Sequence, residues 1–480
     1  MGIGYKEDDS YSDPGVSRKD YPEVTLRLTG KQHKKLEQHL FPGDGKEAVC
    51  LVLCGRRTGT DYHILTVRKI IPVPEDAYIE RAQDKAHWST EFAIPHLEDA
   101  DENGQAVLKI HSHPTGYRGF SGYDDTADEE LFPSVHGRVP GYGPHASAVM
   151  LPDGEIFGRA AWPGPTFKPL RKVSVVGENL RFWFSNDPGS SVPDFAQRHA
   201  QAFGKKTTSL LGQLSVGVVG CSGTGSPVVE QLARLGVGEL VLVDPDVVEE
   251  KNLNRILGAS RSDVGRAKTE VMGSHIREMG LNTKVEEHEK SLFNADVIRG
   301  LARCDVVFGC MDSAEGRDLL NKVAVYYEIP YLDIGVRLDA DQDGGIEHIT
   351  GSVHYLQPDG SSLLSRGAIT HEQVRAENLR RTNPNQYAQE KDEGYVRGVD
   401  LDRPAVISVN MTYASLAVNE LLARLHPYRT SSNGEHARVM MSLSQMRFID
   451  SEEEEPCRQL ASHAGKGDVS PLLYTPALSV

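Results

Sequence analysis

Hydrophobic and polar residues follow two different patterns along the chain, and the pattern changes near residue 195. From about residue 22 to 165, short apolar and β-branched runs such as AVCLVLCG at 48–55 predict strands with one or two helices among them. The run HASAVMLPDGEIFGRAAW at 145–162 predicts a hairpin that turns at residues 152–154. We therefore expect an N-terminal α+β domain over residues 22–165.

The second pattern alternates apolar runs of strand length with amphipathic runs of helix length, which is typical of βαβ units and a parallel sheet. The predicted strands are LSVGVVG at 214–220, ELVLVD at 239–244, RCDVVFG at 303–309 and PYLDIGV at 330–336. The predicted helices are SPVVEQLARLG at 226–236 and PAVISVNMTYASLAVNELLARLH at 404–426. The fold class is therefore expected to be α/β, with a Rossmann-like domain and a mainly parallel sheet over residues 195–450.

Three segments show neither pattern. We expect a flexible tail at 1–21, a linker rich in proline and glycine at 166–194, and a mobile acidic tail at 451–480, which begins with SEEEEP. The polar stretch 357–403 is predicted to be a long loop of the second domain.

Composition narrows the classes of function. Of the 480 residues, 39% are hydrophobic and 25% are charged, which is a normal balance for a globular chain. The formal net charge of −16 argues against a nucleic-acid partner, and the lack of an apolar run of membrane-spanning length argues against a membrane. The six cysteines form no CxxC pair, so we expect a protein of the reducing cytoplasm.

Two histidines and an aspartate lie close together in HSHPTGYRGFSGYDD at 111–125. His111 and His113 are two residues apart on a predicted strand, so both side chains point to the same face. The following loop can bring Asp124 back as a third ligand, which leaves one position on a tetrahedral zinc ion for water. Ser121 can donate a hydrogen bond to the oxyanion that forms on an attacked carbonyl.

Such a site also needs a base for the water. Glu47, on the upstream strand, is the candidate, and Glu91 in WSTEF is a second upstream carboxylate. Surface histidines in a polar loop are the alternative interpretation, and the full His-x-His-Pro and Ser-x-x-Asp spacing favours the metal site.

These motifs resemble those of the JAMM (Mov34/MPN/PAD-1) metalloproteases, which remove or trim ubiquitin-like proteins. The resemblance covers about residues 22–165 and implies that this part of the chain is a JAMM/MPN domain. It implies that His111, His113 and Asp124 are the zinc ligands. It also implies that Ser121 is the oxyanion donor and that Glu47 is the general acid/base.

A glycine-rich loop, VVGCSGTGS at 218–226, lies between a predicted strand and a predicted helix, where backbone N–H groups and the helix dipole attract phosphate. A dinucleotide site with Asp244 as the ribose ligand is the alternative. That fingerprint requires Gly-x-Gly-x-x-Gly, whereas Ser222 stands at the middle glycine and the loop reads Gly-x-x-Gly-x-Gly.

The residues after the loop favour adenylation over hydride transfer. DPDVVEEKNLNR at 244–255 places acidic, amide and arginine side chains in one loop. Lys268 begins a further predicted helix, and CMDS at 310–313 ends a strand with a carboxylate. Cationic side chains neutralise a triphosphate, and a carboxylate binds Mg²⁺, while an acyl oxygen attacks the α-phosphate.

This set is similar to that of the E1-like ThiF/MoeB/HesA family over about residues 195–450. The resemblance implies an ATP site in which Gly220, Gly223 and Gly225 form the phosphate loop and Asp244 is the ribose ligand. It also implies that Asn252, Arg255 and Lys268 contact the phosphates and that Asp312 is the Mg²⁺ ligand. Arg198 matches the arginine that family members insert into the ATP site of the partner subunit, which implies a homodimer.

The sequence departs from that family at two points. The two CxxC pairs of the family's structural zinc site align with Ser362 and Ser365 and with Cys457 and Leu460, so we expect this zinc site to be lost. The loop 357–403 contains no cysteine, which leaves Cys457 as the candidate thioester carrier. Its acidic neighbours disfavour a reactive thiolate, and a remnant of the zinc site is the alternative.

We therefore predict a bacterial enzyme with two activities toward a ubiquitin-like protein: zinc-dependent cleavage at its C-terminus, for maturation or deconjugation, and ATP- and Mg²⁺-dependent adenylation of its C-terminal glycine. In a conjugation pathway an E2-like enzyme would be a further partner. The alternatives are maturation and adenylation of a sulfur-carrier protein for thiocarboxylate formation, and a scaffold that binds a ubiquitin-like protein without catalysis.

Overall fold

The computed structural model describes residues 21–141, 143–164, 166–186, 192–341, 345–393 and 404–479. Over these ranges the chain forms one sheet of nine strands, one of eight strands and a two-stranded hairpin. The first part of the chain builds the nine-stranded sheet and the second part builds the eight-stranded sheet. Apart from Tyr21, the tail predicted at the start of the chain lies outside the described residues.

The N-terminal unit is described by its strands and helices in chain order. The strands are β1 (Glu23–Thr29), β2 (Val49–Thr58), β3 (Tyr62–Pro72), β4 (Tyr78–Arg81), β5 (Ala86–Trp88), β6 (Ala106–Ser112), β7 (His145–Met150), β8 (Ile156–Trp162), β9 (Thr166–Pro169), β10 (Lys172–Val176) and β11 (Leu180–Phe184). The helices are α1 (Gly30–Leu40), α2 (Ile94–Glu102) and α3 (Gly122–Arg138).

The large N-terminal sheet has the order β11-β10-β1-β3-β2-β6-β7-β8-β9, and β4 pairs with β5 separately. Helix α1 packs on one face through Leu36 and Leu40, while α2 and α3 pack on the other through Leu97 and Phe132. Both faces of the central strands are therefore buried. The hairpin predicted at 145–162 is confirmed by the antiparallel pair β7 and β8.

The C-terminal unit follows in the same manner. Its strands are β12 (Ser215–Val219), β13 (Glu239–Val243), β14 (Lys284–His288), β15 (Val306–Gly309), β16 (Tyr331–Ala340), β17 (Ile346–Leu356), β18 (Arg438–Ser442) and β19 (Arg447–Ser451). Its helices are α4 (Gln197–Leu211), α5 (Gly225–Arg234), α6 (Lys268–Met279), α7 (Ala295–Ala302), α8 (Ala314–Tyr327), α9 (His371–Thr382), α10 (Pro384–Asp392) and α11 (Ile407–Leu425).

The second sheet has the order β14-β13-β12-β15-β16-β17-β18-β19. The strands from β14 to β16 are parallel, and β17, β18 and β19 add to them in antiparallel fashion. This confirms the predicted α/β class with a Rossmann-like, mainly parallel region. The order reverses between β12 and β15, and open sheets of this kind bind ligands beyond the carboxyl ends of the strands at that switch point.

The long loop predicted at 357–403 is wrong for residues 371–392, which form α9 and α10. Thr370 and Gln373 close a capping box at the start of α9, and the Asn383 side chain caps α10 ahead of Pro384. Both helices are polar, so they carry no strong amphipathic signal. The end of the predicted loop, residues 394–403, lies outside the described residues.

The linker predicted at 166–194 is wrong for residues 166–184, which form β9, β10 and β11. The five residues of β10 are all buried, and β10 pairs with β1 in parallel. Proline and glycine flank these short strands and obscure their pattern, because both residues punctuate strands as well as linkers. The N-terminal unit therefore extends to Phe184.

The mobile acidic tail predicted at 451–480 is also wrong for what we call the C-terminal segment, residues 456–479. Leu460, Leu472, Leu473 and Leu478 are buried in a cluster with apolar residues of α7 and α8. The charges are concentrated at residues 452–455, and the apolar residues that follow are too widely spaced to form a helix or strand pattern.

Buried polar contacts join the two units. The guanidinium of Arg27, on β1, donates to the carbonyl oxygens of Ala302 and Tyr327, each at 2.9 Å. Lys172, on β10, forms a buried ion pair with Asp305, which precedes β15. The C-terminal segment adds a contact with the first unit, because the Gly465 carbonyl accepts a hydrogen bond from the Thr66 hydroxyl at 2.7 Å.

Among the described helices, none has both the length and the apolar character that a membrane span requires.

Candidate functional site

Other atoms lie close to all three predicted glycines of the loop between β12 and α5, and at Gly220 and Gly225 these are backbone atoms, which leave no room for a side chain. Gly220 has a φ of +93°, and a Cβ on it would lie 2.6 Å from the Cys310 carbonyl oxygen. A Cβ on Gly223 would lie 2.4 Å from Nδ2 of Asn410, on α11. A Cβ on Gly225 would lie 1.7 Å from the Gly220 carbonyl oxygen. The tight loop opens at the switch point, and Asn410 is a neighbour that the sequence did not indicate.

Asp244, which follows β13, is held beside this loop. Its Oδ2 accepts from the backbone N–H of Cys221 at 2.7 Å, and its Oδ1 accepts from that of Asp246 at 3.0 Å. Nζ of Lys268 lies 3.7 Å from Asp244 Oδ1 and 2.8 Å from Asp246 Oδ2. Burial raises the pKa of Asp244, against the opposing effect of the Lys268 ammonium. Asp246 is thus a further carboxylate at this site.

The turn after β13 carries the two other predicted phosphate contacts. Asn252 is buried, and its Oδ1 accepts from the backbone N–H of Glu249 at 3.1 Å, so its amide already stabilises the turn. Nη1 of Arg255 donates to the Lys251 carbonyl at 2.8 Å, and the Arg255 carbonyl accepts from the Ser226 hydroxyl at 3.4 Å. These bonds tie the turn to the first residues of α5, next to the glycine loop.

A cavity of about 1040 Å³ adjoins the loop, and Arg255 and Asp312 both line it. Asp312 is exposed and lies between β15 and α8, close to the switch point. Arg317 lines the same cavity, and its Nε donates to Asp333 Oδ1 at 2.8 Å. The sequence did not indicate this pair. The described residues that line the cavity do not include Arg198, which is exposed on α4.

The second predicted cluster lies at the end of β6. His111 is in that strand and His113 follows it directly, and their Nε2 atoms are 3.1 Å apart. Asp124 Oδ1 lies 2.9 Å from His111 Nε2, and Asp124 Oδ2 lies 3.4 Å from His113 Nε2. All three side chains are buried. The structure therefore brings the three predicted ligands together.

Helix α3 places Asp124 at this point. Ser121 and Asp124 form a capping box, in which each side chain accepts a hydrogen bond from the backbone N–H of the other residue. One turn later, Asp128 contacts Lys109 on β6 at 2.5 Å and Arg159 on β8 at 2.7 Å. The Ser-x-x-Asp spacing therefore also starts the helix. The Ser121 hydroxyl donates to Asp124 Oδ2 at 2.7 Å, and its role toward an oxyanion stays a prediction.

Glu47 lies beside the histidines, with Oε1 3.7 Å from Nε2 of His113. It precedes β2 by two residues, which corrects its predicted place on the strand. Burial raises the pKa of Glu47 to about 7, although the neighbouring His113 opposes the shift. A carboxyl group of this kind can accept and donate a proton near neutral pH. Glu91, by contrast, is exposed in a short 3₁₀ helix.

The donor set and its spacing fit a zinc ion. One ligand atom from each of His111, His113 and Asp124 lies within 4.8 Å of the others, the single such group in the described part of the chain. Ligands about 2 Å from a tetrahedral zinc are about 3.3 Å apart, which is close to the separations seen here. His113 Nδ1 is 2.9 Å from the Tyr117 carbonyl oxygen, so its Nε2 is left for a metal.

The sequence predicts that the structural zinc site of the family is lost. The four residues at its positions lie in a packed part of the structure. The backbone N–H of Ser362 donates to the Ser365 hydroxyl at 2.8 Å. The backbone N–H of Cys457 donates to the Gly360 carbonyl at 2.9 Å, and the Cys457 side chain is buried. Cys457 is therefore part of a core and not of a mobile tail.

The ThiF family model matches residues 196–459, more than half of the chain. The chain is 39% identical over 129 residues to the adenylyltransferase and sulfurtransferase UBA4 of Meyerozyma guilliermondii, an alignment that covers 27% of this chain and 30% of that protein. It is 37% identical over 143 residues to the SAMP-activating enzyme E1 of Haloferax volcanii, covering 30% of this chain and 49% of that protein. The aligned part thus spans less than half the length of either relative.

A solved structure is similar at a lower level. The crystal structure of E. coli MccB with ATP is 19% identical, covers 56% of this chain and 75% of that chain, and has a TM-score of 0.43.

Proposed function

The chain belongs to the ThiF family, and on that premise we propose that it adenylates the C-terminal carboxylate of a ubiquitin-like or sulfur-carrier protein with ATP and Mg²⁺. The observation that carries this proposal is the grouping of the three-glycine loop, Asp244 and Asp312 at the switch point of a parallel sheet. The names of relatives that include adenylyltransferase and E1 support the same chemistry.

The crevice can serve both reactants. The backbone of the glycine loop and the start of α5 would hold phosphate oxygens, and Asp244 would accept from the ribose hydroxyls. Arg255 and Lys268 would offset the triphosphate charge, and Asp312 would hold Mg²⁺, which supplies further charge neutralisation. An oxygen of the carrier's carboxylate would attack the α-phosphorus as the bond to pyrophosphate breaks, which leaves an acyl adenylate and pyrophosphate.

The test is exchange of labelled pyrophosphate into ATP upon addition of candidate ubiquitin-like proteins encoded beside this chain. We expect carrier-dependent exchange by the wild type and a loss of at least about 100-fold in Asp312→Ala. Asp296→Ala, which removes an exposed carboxylate on α7, is the matched control. Exchange by Asp312→Ala at the wild-type rate would contradict this assignment of Asp312.

We favour sulfur transfer over conjugation as the fate of the adenylate. The name of UBA4 includes sulfurtransferase, and each of the six cysteines of this chain is buried or half-buried. Burial raises the pKa of Cys50 and of Cys304 to about 12, which disfavours a thiolate at either position. Incubation with ATP, carrier and sulfide should yield a carrier thiocarboxylate by mass spectrometry. A thiol-sensitive adduct between carrier and enzyme would instead favour conjugation with an E2-like partner.

We also propose a second activity, zinc-dependent cleavage at the C-terminus of the same carrier by a JAMM-type site. The family match begins at residue 196, so this proposal rests on the convergence of His111, His113 and Asp124 beside Glu47. Zinc would polarise the scissile carbonyl and the water bound beside it. Glu47 would take the proton from that water and pass it to the leaving amine.

A carrier extended beyond its terminal glycine provides the substrate for the test. We expect the wild type to remove the extension, and Glu47→Gln to keep its zinc while losing cleavage by at least about 100-fold. Glu91→Gln is the matched control, since that carboxylate is exposed in the same groove. A reversal of these two results would assign the base to Glu91.

For Arg198 we propose a role across a homodimer, because the residue is exposed on α4 of its own chain. If the partner subunit uses it, mixing Arg198→Ala with Asp312→Ala should restore exchange at one site of each mixed dimer. Demonstrated subunit exchange without recovery would remove Arg198 from the mechanism.

A further inference from the structure

The cavity begins next to the proposed ATP site, at Arg255 and Asp312, and continues away from the glycine loop. Asp244, the proposed ribose ligand, follows β13 and does not line this cavity, whereas residues of β16, β17 and β18 do. Because neighbouring strands are about 4.8 Å apart, β18 lies about 14 Å beyond β15, on the side away from β13. This end of the cavity is left for the second reactant.

Three polar side chains form one patch where β17 and β18 line the cavity. Ser352 and His354 are two residues apart on β17, so they share a face, and both line the cavity. Arg438, on β18, is the direct cross-strand partner of His354 in the antiparallel register. Directly opposed side chains have Cβ atoms about 5 Å apart, so the three can contact one small group together.

This patch holds donors that the described protein does not satisfy. His354 is 2% exposed; its Nε2 lies 3.1 Å from the Ser352 hydroxyl, while its Nδ1 is buried without a hydrogen-bond partner among the described residues. Burial lowers the pKa of His354 to about 3, so the ring is neutral at pH 7. Nε2 can then accept from Ser352, which leaves an N–H at Nδ1.

Arg438 is in a similar state. Its Nε is buried without a partner in the described chain, and its Nη2 contacts the Met440 sulfur at 3.5 Å. Two other arginines of the cavity wall are neutralised, since Arg317 pairs with Asp333 and Arg366 pairs with Glu453. In a chain with a formal net charge of −16, the buried and unpaired Nε of Arg438 points to an anionic ligand.

We propose that Arg438, His354 and Ser352 form a subsite for the carboxylate of an acidic side chain in the C-terminal tail of the carrier protein. The inference rests on the proposed adenylation, because that reaction brings a polypeptide tail into this cavity. An extended chain rises about 3.3 Å per residue, so the acidic residue would lie about three to five residues before the terminal glycine. The subsite sets the register of the tail against the α-phosphate.

The test uses two fluorescein-labelled peptides that end in Gly-Gly and differ at the fourth residue from the end, which is glutamate in one and lysine in the other. Fluorescence anisotropy with the full-length chain should show at least about tenfold tighter binding of the glutamate peptide. Arg438→Gln should abolish this preference and Ser352→Ala should reduce it. Arg447→Gln, an exposed arginine on β19, should leave the preference unchanged.

The comparison of the two peptides with the wild type does not depend on whether any variant folds. If the wild type binds the two peptides equally, or binds neither, the proposal is overturned. Retention of the preference by a folded Arg438→Gln overturns it as well. Conversely, Arg438→Glu should prefer the lysine peptide, which a merely structural role of Arg438 would not produce.

A separate readout distinguishes the carrier from ATP as the source of the anion. In carrier-dependent exchange, Arg438→Gln should raise the KM for the carrier and leave the KM for ATP unchanged. A rise in the KM for ATP with unchanged peptide preference would assign the subsite to the triphosphate and overturn the proposal. If the wild type shows peptide preference but no exchange with any carrier, the proposed adenylation fails while the acidic subsite stands.

Discussion

The proposed metal cluster needs far less of the chain than the proposed nucleotide crevice does. His111, His113 and Asp124 come from one strand, one loop and the first turn of one helix, whereas the crevice joins residues from 220 to 312 at the ends of three parallel strands. The two also differ in exposure. The three ligands are buried within hydrogen-bond distance of one another, whereas Asp312 is exposed at the edge of a wide cavity.

The two sites should therefore respond differently to the loss of a single side chain. A compact cluster has three donors for one ion, so the loss of one donor removes the site. The crevice spreads its contacts over backbone and side chains, and its cations already have protein partners, as Lys268 has in Asp246. When a ligand binds in the crevice, these cationic side chains must exchange their protein partners for the ligand. The loss of one side chain should therefore weaken binding without removing the site.

The largest effect should come from His113→Ala. Without this ligand the chain should bind no zinc, and cleavage of an extended carrier should fall by at least about 10³-fold, while carrier-dependent exchange continues. His348→Ala, an exposed histidine of β17, should leave the zinc content unchanged. Metal analysis of both variants checks this, and a full equivalent of zinc in His113→Ala would contradict the site.

Gly225→Ala should act on the crevice alone. The added Cβ would lie 1.7 Å from the Gly220 carbonyl oxygen, so the loop must open, and we expect exchange to fall about 100-fold with zinc and cleavage retained. Gly137→Ala, in α3, meets no atom within 4 Å and is the control. If Gly225→Ala also released the zinc, the two sites would not be separate.

A smaller but shared effect is expected from Arg27→Met. The variant leaves buried carbonyls of the second unit without their donor, so the free energy of unfolding should fall by about 3 to 5 kcal/mol and both activities should become heat-labile together. Arg171→Met removes an exposed arginine nearby and should change little. Thermal denaturation followed with both assays would show whether the two units unfold as one.

The smallest effect should come from Cys457→Ala. The side chain is buried with apolar neighbours, so its loss should cost about 1 kcal/mol and leave adenylation and transfer almost intact. Non-reducing gels with ATP and trimmed carrier provide the measurement. A thiol-sensitive adduct on the wild type that vanishes in Cys457→Ala would make this residue a thioester carrier.

The sequence predicts local features of this fold well and long-range contacts poorly. The strand–glycine loop–helix unit and the convergence of His111, His113 and Asp124 were predicted because their spacing is set by neighbours in the chain. Asp246 beside Lys268 and Arg317 beside Asp333 were missed because each pair forms only when separate elements pack. No local pattern identifies such a partner.

Two of the three segments that were predicted wrongly have a related cause. Residues 166–184 and the C-terminal segment contain proline, glycine or charge clusters that are typical of linkers and tails. Their order comes from the surfaces they pack against, β1 for the first and α7 and α8 for the second. The sequence of a short segment does not indicate the surface against which the segment packs.

The position of the C-terminal segment has a consequence for synthesis in the cell. Gly465 follows its partner Thr66 by 399 residues, and at about 5 to 20 residues per second a ribosome needs about 20 to 80 s to cover that separation. Arg27 waits a shorter time, because its carbonyl partners follow it by 275 and 300 residues and are made before the C-terminal segment. The surface around Thr66 is therefore the part of the first unit that stays uncovered longest, until the C-terminal segment has been made.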